Sequence, residues 1–193
     1  MEMESMSTKP EQNITLAFLS LYMTMAKDGY LGAILVTDCQ GVPLEFRCTH
    51  PVKPNTIQKA LYGETLTPHI GANLCGIPLL KAIQNKPSLV VVNTDYMLNT
   101  RLGSAYPIVY VRRAGETIEV KSVDGKDAKK KERLDSSTGK FQPIIIESHR
   151  DFDDETIGRR ILEPLFSELD PLEPFQRMSK SIEVLTQQDK KFQ

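Results

Sequence analysis

The chain has 193 residues, of which 40% are hydrophobic and 25% are charged, so it is long enough to bury one substantial core. Its formal net charge of −1 excludes a whole-molecule attraction to nucleic acid or to an anionic membrane, so such contacts would need a local patch. No apolar run approaches the roughly 20 residues that span a bilayer, and residues 1–12 lack the basic and apolar regions of a secretory signal. The three cysteines show no CxxC spacing, which favours reduced thiols. These features predict a cytoplasmic protein with no membrane partner.

Short apolar runs bounded by turn-forming residues predict the strands, and wider apolar spacing predicts the helices. In chain order the predicted elements are a flexible leader (1–12), a buried helix (13–28), a β-hairpin (30–38 and 42–49), a short helix (55–63), a broken helical segment (67–83), a central strand (89–97), two strands (106–112 and 117–123), a charged mobile loop (126–140), a strand (141–148), a helix beginning near residue 153 and a final helix restarting at residue 170. The hairpin has the clearest pattern, because Leu44, Phe46 and Cys48 alternate with polar side chains.

Short turns join most of the predicted strands, which favours antiparallel pairing. We therefore predict an α+β fold with a single mixed, mostly antiparallel sheet, flanked by helices and followed by a helical C-terminal segment. The corresponding domain division is a leader at 1–12, a core domain at 13–149 that contains the loop 126–140, and a helical extension at 150–193.

Acidic and histidine side chains stand where three of the predicted strands end. Asp38 follows the first apolar run, Asp95 belongs to the end of the central strand, and Glu147 and His149 follow the strand at 141–148. Ligands of α/β sheets gather at strand ends, and carboxylate oxygens are the ligands that Mg²⁺ and Mn²⁺ prefer. The four residues therefore predict a candidate catalytic site. The alternative is that they are solvated turn caps, a common position for Asp.

A basic cluster lies in the charged loop. Its members are Lys129, Lys130, Lys131 and Arg133. Such a cluster can contact nucleic-acid phosphates, each contact adding salt-sensitive affinity. However, acidic residues are interleaved with it and it contains no aromatic side chain for base stacking. A solvated loop is the favoured interpretation, and nucleic-acid binding is the alternative.

The last predicted helix has a narrow apolar stripe at helical spacing. The stripe consists of Leu172, Phe175, Met178, Ile182 and Leu185. A stripe of this kind usually packs on its own domain, but a terminal one can also enter a partner's groove. Both possibilities remain open, and we assign partner binding to these residues as a hypothesis.

Three resemblances concern the first half of the chain. The segment VTDCQGVPLEFR at 36–47, with QKALYG at 58–63, resembles an uncharacterised bacterial family that shares the pattern VTDxxGxPxEFR and a downstream LYG. A helix followed by ILVTDCQGVPLEF is similar to the opening of roadblock/dynein-light-chain modules, which implies a profilin-like fold that dimerises and scaffolds small GTPases or motor complexes. Asp38 and the Thr94-Asp95-Tyr96 triplet resemble acidic positions of the ribonuclease-H-like fold, and Glu64 is the acid available near a helix boundary.

Two functional hypotheses follow. The main one is a non-catalytic interaction module, an accessory or adaptor subunit of a larger bacterial complex that binds a protein partner or a second copy and needs no cofactor. The alternative is a divalent-metal-dependent nuclease or phosphodiesterase that uses Asp38, Asp95, Glu147 and His149 with Mg²⁺ or Mn²⁺.

Overall fold

One seven-stranded sheet organises the molecule, in the strand order β3-β2-β1-β4-β5-β7-β6. The computed structural model describes residues 14–115 and 131–192. The strands are β1 (Thr15–Met23), β2 (Tyr30–Asp38), β3 (Pro43–Cys48), β4 (Leu89–Val92), β5 (Ile108–Arg113), β6 (Lys131–Leu134) and β7 (Ile144–Ser148). β4 runs parallel to β1 and β5, and the other neighbouring pairs are antiparallel. The predicted α+β fold with a mixed, mostly antiparallel sheet is confirmed.

Helices cover both faces of this sheet. They are α1 (Thr56–Tyr62), α2 (Leu66–His69), α3 (Ile77–Ala82), α4 (Asp154–Leu165) and α5 (Glu173–Gln188), with a π-helical stretch at Ile70–Gly76 and 3₁₀ segments at Gly63–Thr65, Asp95–Gly103 and Lys190–Phe192. Side chains of α4 and α5 share one core cluster with the sheet, and side chains of α3 and of the Asp95–Gly103 segment share the other. No helix within residues 14–115 and 131–192 has the length and hydropathy of a membrane span.

Residues 15–23 form strand β1, which lies between β2 and β4 in the sheet, so the predicted helix at 13–28 is wrong. Leu16 and Phe18 pack into the core cluster with α4 and α5, whereas Ala17 and Leu19 pack into the opposite cluster. A strand covered on both faces is apolar at consecutive positions, and this pattern does not distinguish it from a buried helix.

The helical segment after β3 begins as predicted and then continues where a break was expected. Asn55 caps α1 in a capping box with Gln58. Gly71 and Gly76 lie within the π-helical stretch that joins α2 to α3. A Cβ at Gly71 would lie 2.8 Å from Met97 Sδ, so this glycine permits close packing of the Asp95–Gly103 segment.

Part of the predicted mobile loop is strand β6. Its Leu134 is 1% exposed and pairs with Ile144 of β7, so a short alternating segment within a charged run contributes to the core. The predicted leader (1–12), the predicted strand at 117–123 and residues 126–130 of the loop lie outside the described residues.

The apolar stripe of the last helix packs against the sheet. Phe175, Met178 and Ile182 are 7%, 1% and 5% exposed, and Leu172 and Leu185 are partly buried against the same core. The Phe175 ring lies nearly perpendicular to that of Phe18 on β1, with ring centroids 5.7 Å apart. In this structure these side chains are core residues and do not offer a free docking surface. Of the two possibilities left open by the sequence, packing on the chain's own domain is the one that this structure shows.

Candidate active-site groove

The strand register places Asp38 and Asp95 at opposite ends of the strands, separated along the strand direction. Asp38 pairs with Thr15 at the start of β1, whereas Ser20, further along β1, donates a hydrogen bond to Asn93 Oδ1 at 2.8 Å. Asp95 follows Asn93 beyond the end of β4. The steps from Thr15 to Ser20 alone span roughly 17 Å of strand. Two carboxylates that share a cation lie within about 5 Å of each other, given metal–oxygen distances of about 2.0–2.6 Å. The predicted four-residue site is therefore not assembled.

Asp38 instead stabilises the turn between β2 and β3. Its Oδ1 accepts hydrogen bonds from the backbone N–H groups of Gln40 and Val42, both at 2.9 Å. Gly41, in the same turn, has a φ of 81°, a conformation that favours glycine. In this structure Asp38 is therefore a turn cap, as in the alternative interpretation of its position.

Glu147 is buried within the sheet and forms ion pairs with two basic side chains. Its side chain is 5% exposed, and its Oε1 lies 3.2 Å from Arg112 Nε on β5 and 3.5 Å from Lys131 Nζ on β6. Lys131 of the predicted basic cluster therefore contributes to a cross-strand ion pair. Arg133 pairs with Asp135 at 3.0 Å, and Lys129 and Lys130 lie outside the described residues.

Asp95 and His149, in contrast, line the same surface groove. The groove has a volume of about 410 Å³. Its lining consists of Asp95, Leu98, Asn99 and Leu102 from the segment after β4, and His149, Arg150 and Asp151 from the turn after β7. Two of the four predicted site residues are thus brought together.

Arg101, in the segment after β4, contacts residues that follow the turn after β7. Its Nε donates to Asp154 Oδ2 at 2.6 Å, and its guanidinium carbon lies 3.9 Å from the centroid of the Phe152 ring. The same Asp154 oxygen accepts the backbone N–H of Ile108 at 3.0 Å, which fixes the start of α4 against β5. Sequence analysis missed Arg101 and Asp154. The signal available was an acidic residue in the first turn of a predicted helix, which does not identify a partner 53 positions away.

The groove contains groups suited to acid–base chemistry on a phosphate ester. The backbone N–H of Asp151 donates to His149 Nδ1 at 3.3 Å, so Nδ1 is the acceptor and the neutral ring carries its proton on Nε2. Asp151 Oδ2 lies 3.6 Å from the same nitrogen. Arg150 adds a positive charge that is suited to phosphate oxygens.

A preformed site for Mg²⁺ or Mn²⁺ does not fit these side chains. Within residues 14–115 and 131–192 there is no group of three His, Cys, Asp or Glu residues that could hold a metal ion. Ser20 and Asn93 form a hydrogen bond near the carboxyl ends of β1 and β4. Both side chains are uncharged, so they offer no carboxylate to a metal ion at that position. Because Mg²⁺ is often held by only one or two carboxylates together with substrate phosphates, the metal-dependent form of the alternative hypothesis stays a prediction.

Comparison with known proteins identifies the fold. No protein-family model matches the chain, and no curated protein matches it significantly. Among solved structures, endonuclease V of Bacillus subtilis is similar with a TM-score of 0.55 and 13% identity, over 90% of this chain and 82% of that one. Endonuclease V of Streptomyces avermitilis has a TM-score of 0.49 and 15% identity over 76% and 72% of the two chains, and human ENDOV has 0.47 and 10% over 90% and 88%.

The chain has an endonuclease V-like fold. The Bacillus subtilis protein is an endonuclease, and this fold match corrects the main hypothesis of a non-catalytic adaptor or accessory subunit. At such low identity the likeness concerns the architecture, so the chemistry has to be argued from the groove.

Proposed function

We propose that this protein is a phosphodiesterase acting on nucleic acid, a nuclease, with the groove between Asp95 and His149 as its site. The observation that carries the proposal is this groove, in which the structure gathers carboxylate, imidazole and guanidinium groups. The endonuclease V-like fold supports a phosphodiester as the substrate. The proposal assigns no step to a metal ion.

His149 is the proposed acid–base residue. A positioned histidine that transfers a proton to or from a reacting oxygen typically accelerates a reaction about 10²- to 10⁴-fold. Asp151 holds its ring through Nδ1, which leaves Nε2 as the proton-transferring atom. Arg150 would bind phosphate oxygens, and Asp95 on the opposite wall would orient a water molecule or a sugar hydroxyl.

A cleavage assay tests the proposal. End-labelled single- and double-stranded DNA and RNA are incubated with the full-length protein in Mg²⁺, in Mn²⁺ and in EDTA, which also measures any need for a cation. We expect cleavage of at least one substrate and a loss of about 10²-fold or more in His149→Gln. His69→Gln is the matched control, because His69 contacts Asn73 and Tyr62 away from the groove. Intact substrates in every condition, or equal rates for His149→Gln and wild type, would overturn the proposal.

A further inference from the structure

Strand β3 is an edge of the sheet that exposes large apolar side chains. Among the strands of the described ranges only β2 pairs with it. Leu44 and Phe46 on this strand are 47% and 40% exposed. Edge strands normally avoid such surfaces, because an unpaired backbone beside exposed apolar groups is a template for pairing with another chain.

Phe46 presents both an exposed apolar side chain and unpaired backbone groups. Thr49 N–H donates to the carbonyl of Gly32 at 2.9 Å, which sets the hydrogen-bonding phase between β3 and β2. In an antiparallel ladder this phase turns the backbone groups of Glu45 and Arg47 toward β2. The N–H and C=O groups of Phe46 and Cys48 therefore point away from the sheet, whereas Leu44 lies at the register shift opposite Val36 and Thr37 and is outside this regular phase.

The β3 sequence is self-complementary about Phe46. A two-fold axis through Phe46 places Glu45 opposite Arg47 of the second copy, and Leu44 opposite Cys48 of the second copy. Opposite charges then face one another in addition to the Glu45–Arg47 pair within each chain, and so do apolar side chains, which stabilises antiparallel strands. An axis through Glu45 or through Arg47 would instead place like charges directly opposite, so charge and apolarity select the same register.

We propose that a second copy of this chain pairs with β3 in antiparallel fashion around Phe46 and joins two sheets edge to edge. The pairing involves few residues per chain and is small compared with the roughly 1,200–2,000 Å² buried in stable interfaces. The dimer is therefore concentration-dependent. The inference is independent of the proposed nuclease activity.

Sedimentation velocity and cross-linking of the full chain test the pairing. Phe46→Cys should form a disulfide-linked dimer under mild oxidation, since paired Cα atoms about 5.5 Å apart lie within disulfide reach. Val184→Cys, a 50%-exposed position on α5, retains the same native cysteines and should cross-link no more than wild type. Phe46→Lys should raise the dimer dissociation constant at least tenfold.

Three results would overturn the proposal. They are a wild-type chain that stays monomeric up to about 100 μM, equal cross-linking of Phe46→Cys and Val184→Cys, and a Phe46→Lys variant that is folded by circular dichroism and still dimerises like wild type. A monomer would mean that another segment of this chain covers β3 or that the edge stays unpaired. If Phe46→Lys fails to fold, the cysteine pair decides the question.

Discussion

Glu45 on β3 anchors the end of α3, and its replacement tests how the edge strand is held. The carboxylate accepts the backbone N–H groups of Gln84 at 2.9 Å and of Asn85 at 3.0 Å, together with the Asn85 side-chain amide at 3.0 Å. Arg47 pairs with the same carboxylate, and its own side chain is 38% exposed whereas that of Glu45 is 11% exposed. Glu45→Gln keeps the shape but removes one acceptor oxygen and the charge, so several of these donors lose their partner.

The magnitude follows from the pKa of this carboxyl group. The backbone N–H of Asn85 contributes most to lowering the pKa from 4.5 to about 2, burial acts in the opposite direction, and Arg47, the Asn85 side chain and Gln84 lower it further. At about 1.4 kcal/mol per pK unit, the gap sets an upper bound of about 3 kcal/mol of folding stability, which solvent screening of this carboxylate reduces. Because the folded-state pKa is the lower one, this stability is present above about pH 4.5 and is lost as the pH falls toward 2. Near pH 3 less than about half remains.

Urea unfolding of wild type, Glu45→Gln and Glu64→Gln between pH 7 and pH 2 measures this effect. Glu64 lies at an exposed position and serves as the matched control. We expect Glu45→Gln to lose about 2–3 kcal/mol of unfolding free energy at pH 7, and the difference from wild type to shrink steadily below pH 4.5. A difference that stays constant down to pH 2, or a loss no greater than that of Glu64→Gln, would refute the role assigned to this carboxylate.

Two further substitutions test the corrections that the structure makes to the sequence analysis. Met178→Ala should lower the unfolding free energy by about 3 kcal/mol because it leaves a cavity in the core, whereas Val184→Ala on the exposed side of the same helix should change it by less than about 0.5 kcal/mol. Similar losses for both would show that the stripe is not core. Asp38→Ala should cost about 1–2 kcal/mol through the lost turn cap and leave nucleic-acid cleavage unchanged. A selective loss of cleavage would return Asp38 to the site.

Local turn and cap chemistry made the β2–β3 hairpin and the start of α1 predictable from sequence. Asp38 in the turn and Asn55 at the helix start both use side-chain oxygens to satisfy backbone donors a few residues away. The strand β6 was not predictable in this way, because its single buried residue, Leu134, stands in a run of charges. Its strand conformation depends on pairing with β7, a contact between distant residues that the local pattern does not encode.

The missed strand β1 explains why only two of the four candidate residues lie close together. Without β1, β2 is the first strand of the sheet, and an acid at its end is expected beside an acid that follows β4. With β1 present, β2 is antiparallel to β1 and β1 is parallel to β4. The C-terminal ends of β2 and β4 therefore lie at opposite ends of the strands.

The meeting of Asp95 and His149 has a different origin. β4 ends at Val92, and the segment Asp95–Gly103 then leads back toward the start of β5. Because β7 is antiparallel to β5, its C-terminal end lies beside the N-terminal end of β5. His149 follows β7 there and lies opposite the segment Asp95–Gly103. Their proximity therefore depends on a crossover path and not on a shared strand end. Arg101 holds that path against α4 through Asp154. Strand-end rules applied to sequence identify candidate residues, but the direction of every strand between them must be known before their distance can be inferred.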